Sequence, residues 1–163
     1  MELVDPRHTI LHEEVRPVCW IPPTDRQERY LDRKAKEMLD FLYETDEWAL
    51  AANQIGLPIR MFVTIWNVPV GSDHVIWINP TVLSAEGSHT DWEGCLNMPG
   101  VLVEVTRPEL IVVEAYNLIG RKFTVELRRT AARIMHRAID HLNGLTIVGH
   151  SCLWPVEGYQ GAQ

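Results

Sequence analysis

The sequence predicts an α+β fold in which antiparallel strands are segregated from two main helices. Three observations carry this: a helical-period segment near the N-terminus, a central series of segments rich in β-branched and aromatic residues, and a second helical segment that stops at Asn143 and Gly144. At 163 residues, with 46% hydrophobic and 23% charged content, the chain is expected to form one domain over 1–163 with a single core.

The opening stretch VDPRHTILHEEVRPV (4–18) is interrupted by Pro6 and Pro17 and reads as an extended, partly irregular arm. Pro22 and Pro23 then forbid a helix interior. Thr24 or Asp25 can cap the helix that follows, RQERYLDRKAKEMLDFLYET, in which Leu31, Ala35, Met38, Leu39 and Leu42 recur at helical spacing. RMFVTIWNV (60–68) and HVIWINPTVL (74–83) read as strands bounded by Pro or Gly. LVEVT (102–106), ELIVVEAYN (109–117) and KFTVELR (122–128) alternate and, with LIGR as the last turn, predict a meander. The closing helix runs from about Thr130 to Leu142, where Asn143 and Gly144 suit a C-cap. A short apolar LTIV follows, then a tail with Gly158 and Gly161 that is expected to fray.

Composition narrows the partners. A net charge of −7 without a run of lysines or arginines argues against nucleic acid and against anionic membrane. With no targeting segment and no long apolar run, the expectation is a soluble, cytoplasmic protein whose partners are small molecules or proteins. Cys19, Cys95 and Cys152 are odd in number and scattered, as reduced thiols would be. Of the tryptophans, Trp20, Trp48, Trp66, Trp77, Trp92 and Trp154, most are expected in the core.

IMHRAIDHLNG (134–144) has the look of a metal-binding helix, but His136 and His141 are wrongly spaced. A helix turns about 100° per residue, which sets these two side chains about 140° apart. Only a local π-bulge makes them converge on one ion.

WALAANQIG (48–56), EGCLNMPG (93–100) and HRAIDHLNG (136–144) read together, in this order and spacing, resemble the peptide deformylase family along nearly the whole chain. That family removes the formyl group from new N-terminal methionines with a bound Fe(II) or Zn(II). Its motifs read GxGLAAxQ, EGCLS and HExDH, the last followed by LNG. The resemblance implies a peptide-deformylase-like fold: antiparallel sheets around a central C-terminal motif helix, plus an N-terminal helix. It implies further that Gln54 donates to the substrate carbonyl oxygen, that the Leu96 N–H is the second oxyanion donor, that Cys95 and His141 are metal-ligand positions, and that Arg107 lies near the substrate's outer end. Asp140 falls on the motif's aspartate.

The departures carry as much information. Glu47 and Ala49 replace two glycines that let backbone approach the substrate, so substrate entry is altered. Asn97 takes the serine place. Arg137 and Ala138 stand on the first histidine ligand and the catalytic glutamate, and a guanidinium has no lone pair to give a metal. A catalytic tetrahedral site uses three protein ligands and a water, and its water needs a proton acceptor. No cofactor is therefore expected; Fe(II), zinc or nickel returns only if His136 joins Cys95 and His141. His136 reads rather as a solvated or supporting residue.

Two ligands of one ion are neighbours even without the ion, so Cys95 and His141 form a nucleophile and base at near hydrogen-bond range. Arg137, four residues before His141, adds positive charge that favours a thiolate. The favoured expectation is a metal-independent amide hydrolase or acyltransferase acting on a C–N bond of an N-acyl or amino-acid-derived substrate. Cys95, His141, Gln54, Leu96 and Arg137 are its catalytic set. Glu47, Trp48, Ala49, Trp92, Glu93, Gly94 and Arg107 are expected about the substrate, with Trp48 and Trp92 walling a pocket for an apolar group. Two alternatives stand beside it: a catalytically silent binder of an acylated peptide or small molecule, and a residual metal-dependent deformylase. Arg137 can equally bind a substrate carboxylate, or pair with Asp140 or Glu93 in a retired site. Asp140 can support His141 or pair with Arg133. By analogy alone, a copy without its base fits a specialised biosynthetic pathway.

Overall fold

In the computed structural model, which describes residues 1–19, 23–45, 47–65 and 76–150, Thr24 opens helix α1 (Asp25–Thr45) with a capping box. Its N–H donates to Gln27 Oε1 at 3.0 Å, and its hydroxyl oxygen accepts the Gln27 N–H at 3.4 Å. Leu31, Ala35, Met38 and Leu42 form the buried stripe of α1, while Leu39 is only partly buried. The chain continues through β1 (Ala49–Ala51), a 3-10 turn (Ala52–Ile55), β2 (Met61–Thr64), β3 (Ile76–Glu86), β4 (His89–Cys95), β5 (Met98–Arg107), β6 (Leu110–Tyr116), β7 (Lys122–Arg128) and helix α2 (Thr130–Leu142). The expected strand positions 66–68 and 74–75, Trp20, Trp66, Trp154, Cys152 and the glycine-containing tail lie outside the described residues.

Five strands form one antiparallel sheet in the order β1-β2-β3-β6-β7, and β4 pairs with β5 in a separate two-stranded ribbon. The expected three-strand meander is thus corrected to a β6–β7 hairpin. β5 leaves for the ribbon, and β6 takes β3 as its other neighbour. Alternation reports which residues share a face and is silent about which strand lies alongside. Strands β1 and β4 do not stand out in the sequence: the first has three residues, and the first half of the second is polar and exposed.

Period-2 alternation splits the sheet's side chains between two apolar clusters. Leu50, Met61 and Val63 face α1, whereas Ala49, Ala51, Phe62 and Trp77 face α2. Trp77 stacks on Phe62 with ring centroids 5.6 Å apart and donates to Thr64 Oγ1. It is the one buried tryptophan among those described; Trp48 and Trp92 are 52% and 63% exposed, so the expectation that most would be core fails for these two.

Helix α2 is buried along most of its length. Ala132, Met135, Ala138, Ile139 and Leu142 pack on the sheet, while Arg133, Arg137, Asp140 and His141 share the spacing of one further face. The C-terminal carbonyls that a helix leaves unpaired find side chains here. Arg60 donates to Leu142 O at 3.1 Å and to Asn143 Oδ1 at 2.7 Å, and Asn53 Nδ2 donates to His141 O. Gly144 follows at φ +74°, as the sequence leads one to expect of a C-cap glycine. Among the described residues no helix is long and apolar enough to cross a membrane.

Candidate active site

The ribbon turn places the sulfur. Cys95 ends β4 and pairs in register with Met98, so Leu96 and Asn97 form a two-residue turn. The backbone N–H groups of Asn97 and Met98 favour negative charge on the Cys95 sulfur, as convergent amides do. From α2, His141 brings Nε2 to 3.4 Å from Sγ. From the 3-10 turn after β1, Gln54 brings its amide nitrogen to 4.0 Å from the same sulfur. All three side chains are buried.

Gln54 is held at both ends. Its Oε1 accepts the Ala51 N–H at 2.9 Å, and its Nε2 donates to Asn97 Oδ1 at 3.0 Å. Asn97 in turn donates to Gln54 O and Val4 O, each at 2.9 Å, tying the N-terminal arm to the turn beside Cys95. Sequence reasoning gave Asn97 no role. The available signal was its departure from the serine of the motif it resembles.

Arg137 does not pair with Asp140 or Glu93. It donates through Nη1 to Gly94 O at 2.9 Å and through Nη2 to Glu47 Oε2 at 3.2 Å. The two acids go to Arg107, which forms a fork on Glu93 with both bonds at 2.7 Å and donates to Asp140 Oδ2. Arg133 adds a 2.6 Å bond to Glu93, and the Asp140–Arg133 pair, one of two options the sequence left open, gives way to Asp140–Arg107. Arg107 is 1% exposed. Its expected place at the substrate's outer end is therefore corrected as well: both Arg107 and Glu93 are closed inside a salt-bridged cluster behind the turn. Trp48 and Trp92 are 52% and 63% exposed, and Ala49 is buried in the cluster that includes the apolar residues of α2.

Burial pushes the Cys95 thiol above its ordinary value. The Asn97 N–H and the charge of Arg137 pull it back, Glu47 opposes them, and burial wins. Arg137 thus acts in the expected direction, toward the thiolate, but burial outweighs it and the Glu47 carboxylate opposes it.

Two ligands of one tetrahedral ion stand roughly 3.6 Å apart, so the Cys95–His141 distance suits a hydrogen bond or an ion equally. Among the described residues no group of three or more His, Cys, Asp or Glu is placed to hold a metal. Arg137 offers no lone pair, and His136 is fully buried without joining Cys95 and His141 as a third donor. His136 is therefore not solvated, and of its two expected readings only the supporting one is left.

The polypeptide deformylase family model matches residues 1–152. A peptide deformylase of Rhodopirellula baltica is 34% identical over 159 residues, covering 93% of this chain and 75% of that protein. Peptide deformylase 1 of Bacillus subtilis is 38% identical over 120 residues, covering 70% of this chain and 72% of its own. The crystal structure of peptide deformylase from Thermotoga maritima superposes with a TM-score of 0.79 at 30% identity, over 91% of this chain and 95% of that one.

Proposed function

This chain belongs to the polypeptide deformylase family, and from that premise we propose that it has exchanged the family's metal for a covalent route: hydrolysis or transfer of an acyl group through Cys95. On this reading Arg137 and Ala138 occupy the positions of the first histidine ligand and the glutamate. The supporting observation is the Cys95 Sγ to His141 Nε2 contact at 3.4 Å, buried beside the Gln54 amide.

The chemistry runs as follows. With its proton on Nδ1, His141 accepts the thiol proton at Nε2 as sulfur attacks the acyl carbon. The carbonyl electrons move onto oxygen, which the Gln54 amide and the Leu96 N–H receive. Collapse breaks the C–N bond, and the amine leaves with the proton from His141. Water or a second amine then releases the thioester. Because the resting sulfur is a thiol, the base must act during attack, as in a serine hydrolase.

Incubation with N-acyl amino acids and p-nitrophenyl acyl esters followed by intact-mass spectrometry tests this: a single acyl adduct is expected, lost in Cys95→Ser. No adduct with any donor sinks the covalent route. One observation favours a second reading, binding without turnover: Gln54 gives one of its two amide N–H groups to Asn97 at 3.0 Å, which leaves a single N–H for an oxyanion. That reading predicts saturable binding unchanged in Cys95→Ala. Metal content after anaerobic purification separates both from a residual metalloenzyme, with iron, zinc and nickel expected well below one per chain.

A further inference from the structure

Glu47 and Arg137 lie ninety positions apart in the chain and meet at the site, Nη2 to Oε2 at 3.2 Å. On the motif reading they replace, respectively, a glycine and the first histidine. The contact is a single, longer bond between side chains that are 20% and 30% exposed. Arg107, by contrast, holds Glu93 through a two-bond fork with both partners sealed from solvent. An arginine fork is shaped for two carboxylate oxygens; Arg137 has one from Glu47 and spends its other bond on Gly94 O, the carbonyl immediately before Cys95. A part-exposed pair of this kind is weak and exchangeable.

We propose that Arg137 is a carboxylate-binding residue whose resident ligand in the free protein is Glu47, so that the site takes acyl compounds carrying a free carboxylate beside the acyl group, as N-acyl amino acids do. The substrate carboxylate replaces Glu47 on the guanidinium, and the displaced Glu47 turns to solvent. Charge at the site is then the same before and after exchange, which spares the desolvation cost of an unpaired ion. Bonding to Gly94 O keeps the guanidinium seated next to Cys95 throughout. The inference rests on the Cys95-centred reading for the acyl group, but the carboxylate subsite can be tested without acyl transfer.

Iodoacetate and iodoacetamide form the same C–S bond with a thiolate and expel iodide, the thiol proton passing to solvent. They differ in carrying a carboxylate or a carboxamide. Their rate ratio at one cysteine cancels that cysteine's thiolate fraction. Residue-resolved peptide mapping of the intact folded protein gives this ratio at Cys95, with exposed Cys19 as internal reference. A charge-assisted fork predicts an iodoacetate preference at Cys95 about tenfold or more above that at Cys19. The preference is expected to collapse in Arg137→Gln, to persist partly in Arg137→Lys, and to rise in Glu47→Gln, where the internal competitor is gone. Equal ratios at the two cysteines overturn the proposal. So does a Cys95 that reacts with neither reagent, or a preference that Glu47→Gln leaves unmoved; this last arm holds even if Arg137 variants fail to fold. A high ratio with no acyl adduct removes the catalytic reading and keeps the subsite, and the reverse outcome removes the subsite alone.

Discussion

Asn97 accepts the Gln54 amide and donates to the carbonyls of Gln54 and Val4 while itself only 3% exposed. Alanine there leaves buried polar groups without partners, each worth about 1–3 kcal/mol when orphaned. Asn97→Ala is therefore expected to lose about 2–4 kcal/mol of stability in urea unfolding. It should also release the Gln54 amide. If Asn97 merely fills space, the loss stays below about 1 kcal/mol. The motif resemblance brought Gln54, Cys95, Leu96 and His141 into view, because their residue types survive. Asn97 had to be seen in contact with its partners, since a residue that differs from a motif advertises change and not the nature of the new bonds.

Helix α2 fixes where His141 sits, and its C-terminal end is where the element is most constrained. Gly144 has φ +74°, and a Cβ there would come within 2.7 Å of the Glu13 backbone carbon and 2.9 Å of that of His12. Neither neighbour is the end of a flexible side chain, so an added methyl group pushes the N-terminal arm away from the helix. Gly144→Ala is expected to cost more than the usual left-handed penalty of about 1 kcal/mol, about 2–4 kcal/mol in all, read by urea or thermal unfolding. A cost under about 1 kcal/mol contradicts the close packing. The helix boundaries at Thr130 and Leu142 were legible from periodicity and the Asn-Gly stop. Strand β4, which carries Trp92, Glu93, Gly94 and Cys95, was not, because its exposed polar half shows no alternation.

Across the whole molecule, the cluster of Arg107, Arg133, Glu93 and Asp140 ties α2 to the β4–β5 ribbon and so joins His141 to Cys95. Burial pushes the Glu93 carboxyl up, but Arg107 and Arg133 more than offset it and leave Glu93 below the ordinary carboxylate range. A lowered acid contributes stability above its unfolded pKa and loses it as pH falls through the folded one. Stability should therefore drop on the acid side of the carboxylate range, with a shallower acid limb in Glu93→Gln. An unchanged limb contradicts the assignment. Arg107→Met removes the fork on Glu93, leaving that carboxylate to Arg133, and removes the Asp140 bond; it is expected to cost about 3–5 kcal/mol. The sequence by itself determined the α+β class, both helices, strands β2, β3 and β5 to β7 in outline, and the surviving Gln54, Cys95 and His141, because periodicity and residue type are local properties. It left the partners of every charge open. Arg137 meets Glu47, Arg107 takes Glu93 and Asp140, and β5 pairs with β4, and only tertiary structure decides these, since each joins elements distant in sequence or chooses among several chemically equivalent partners.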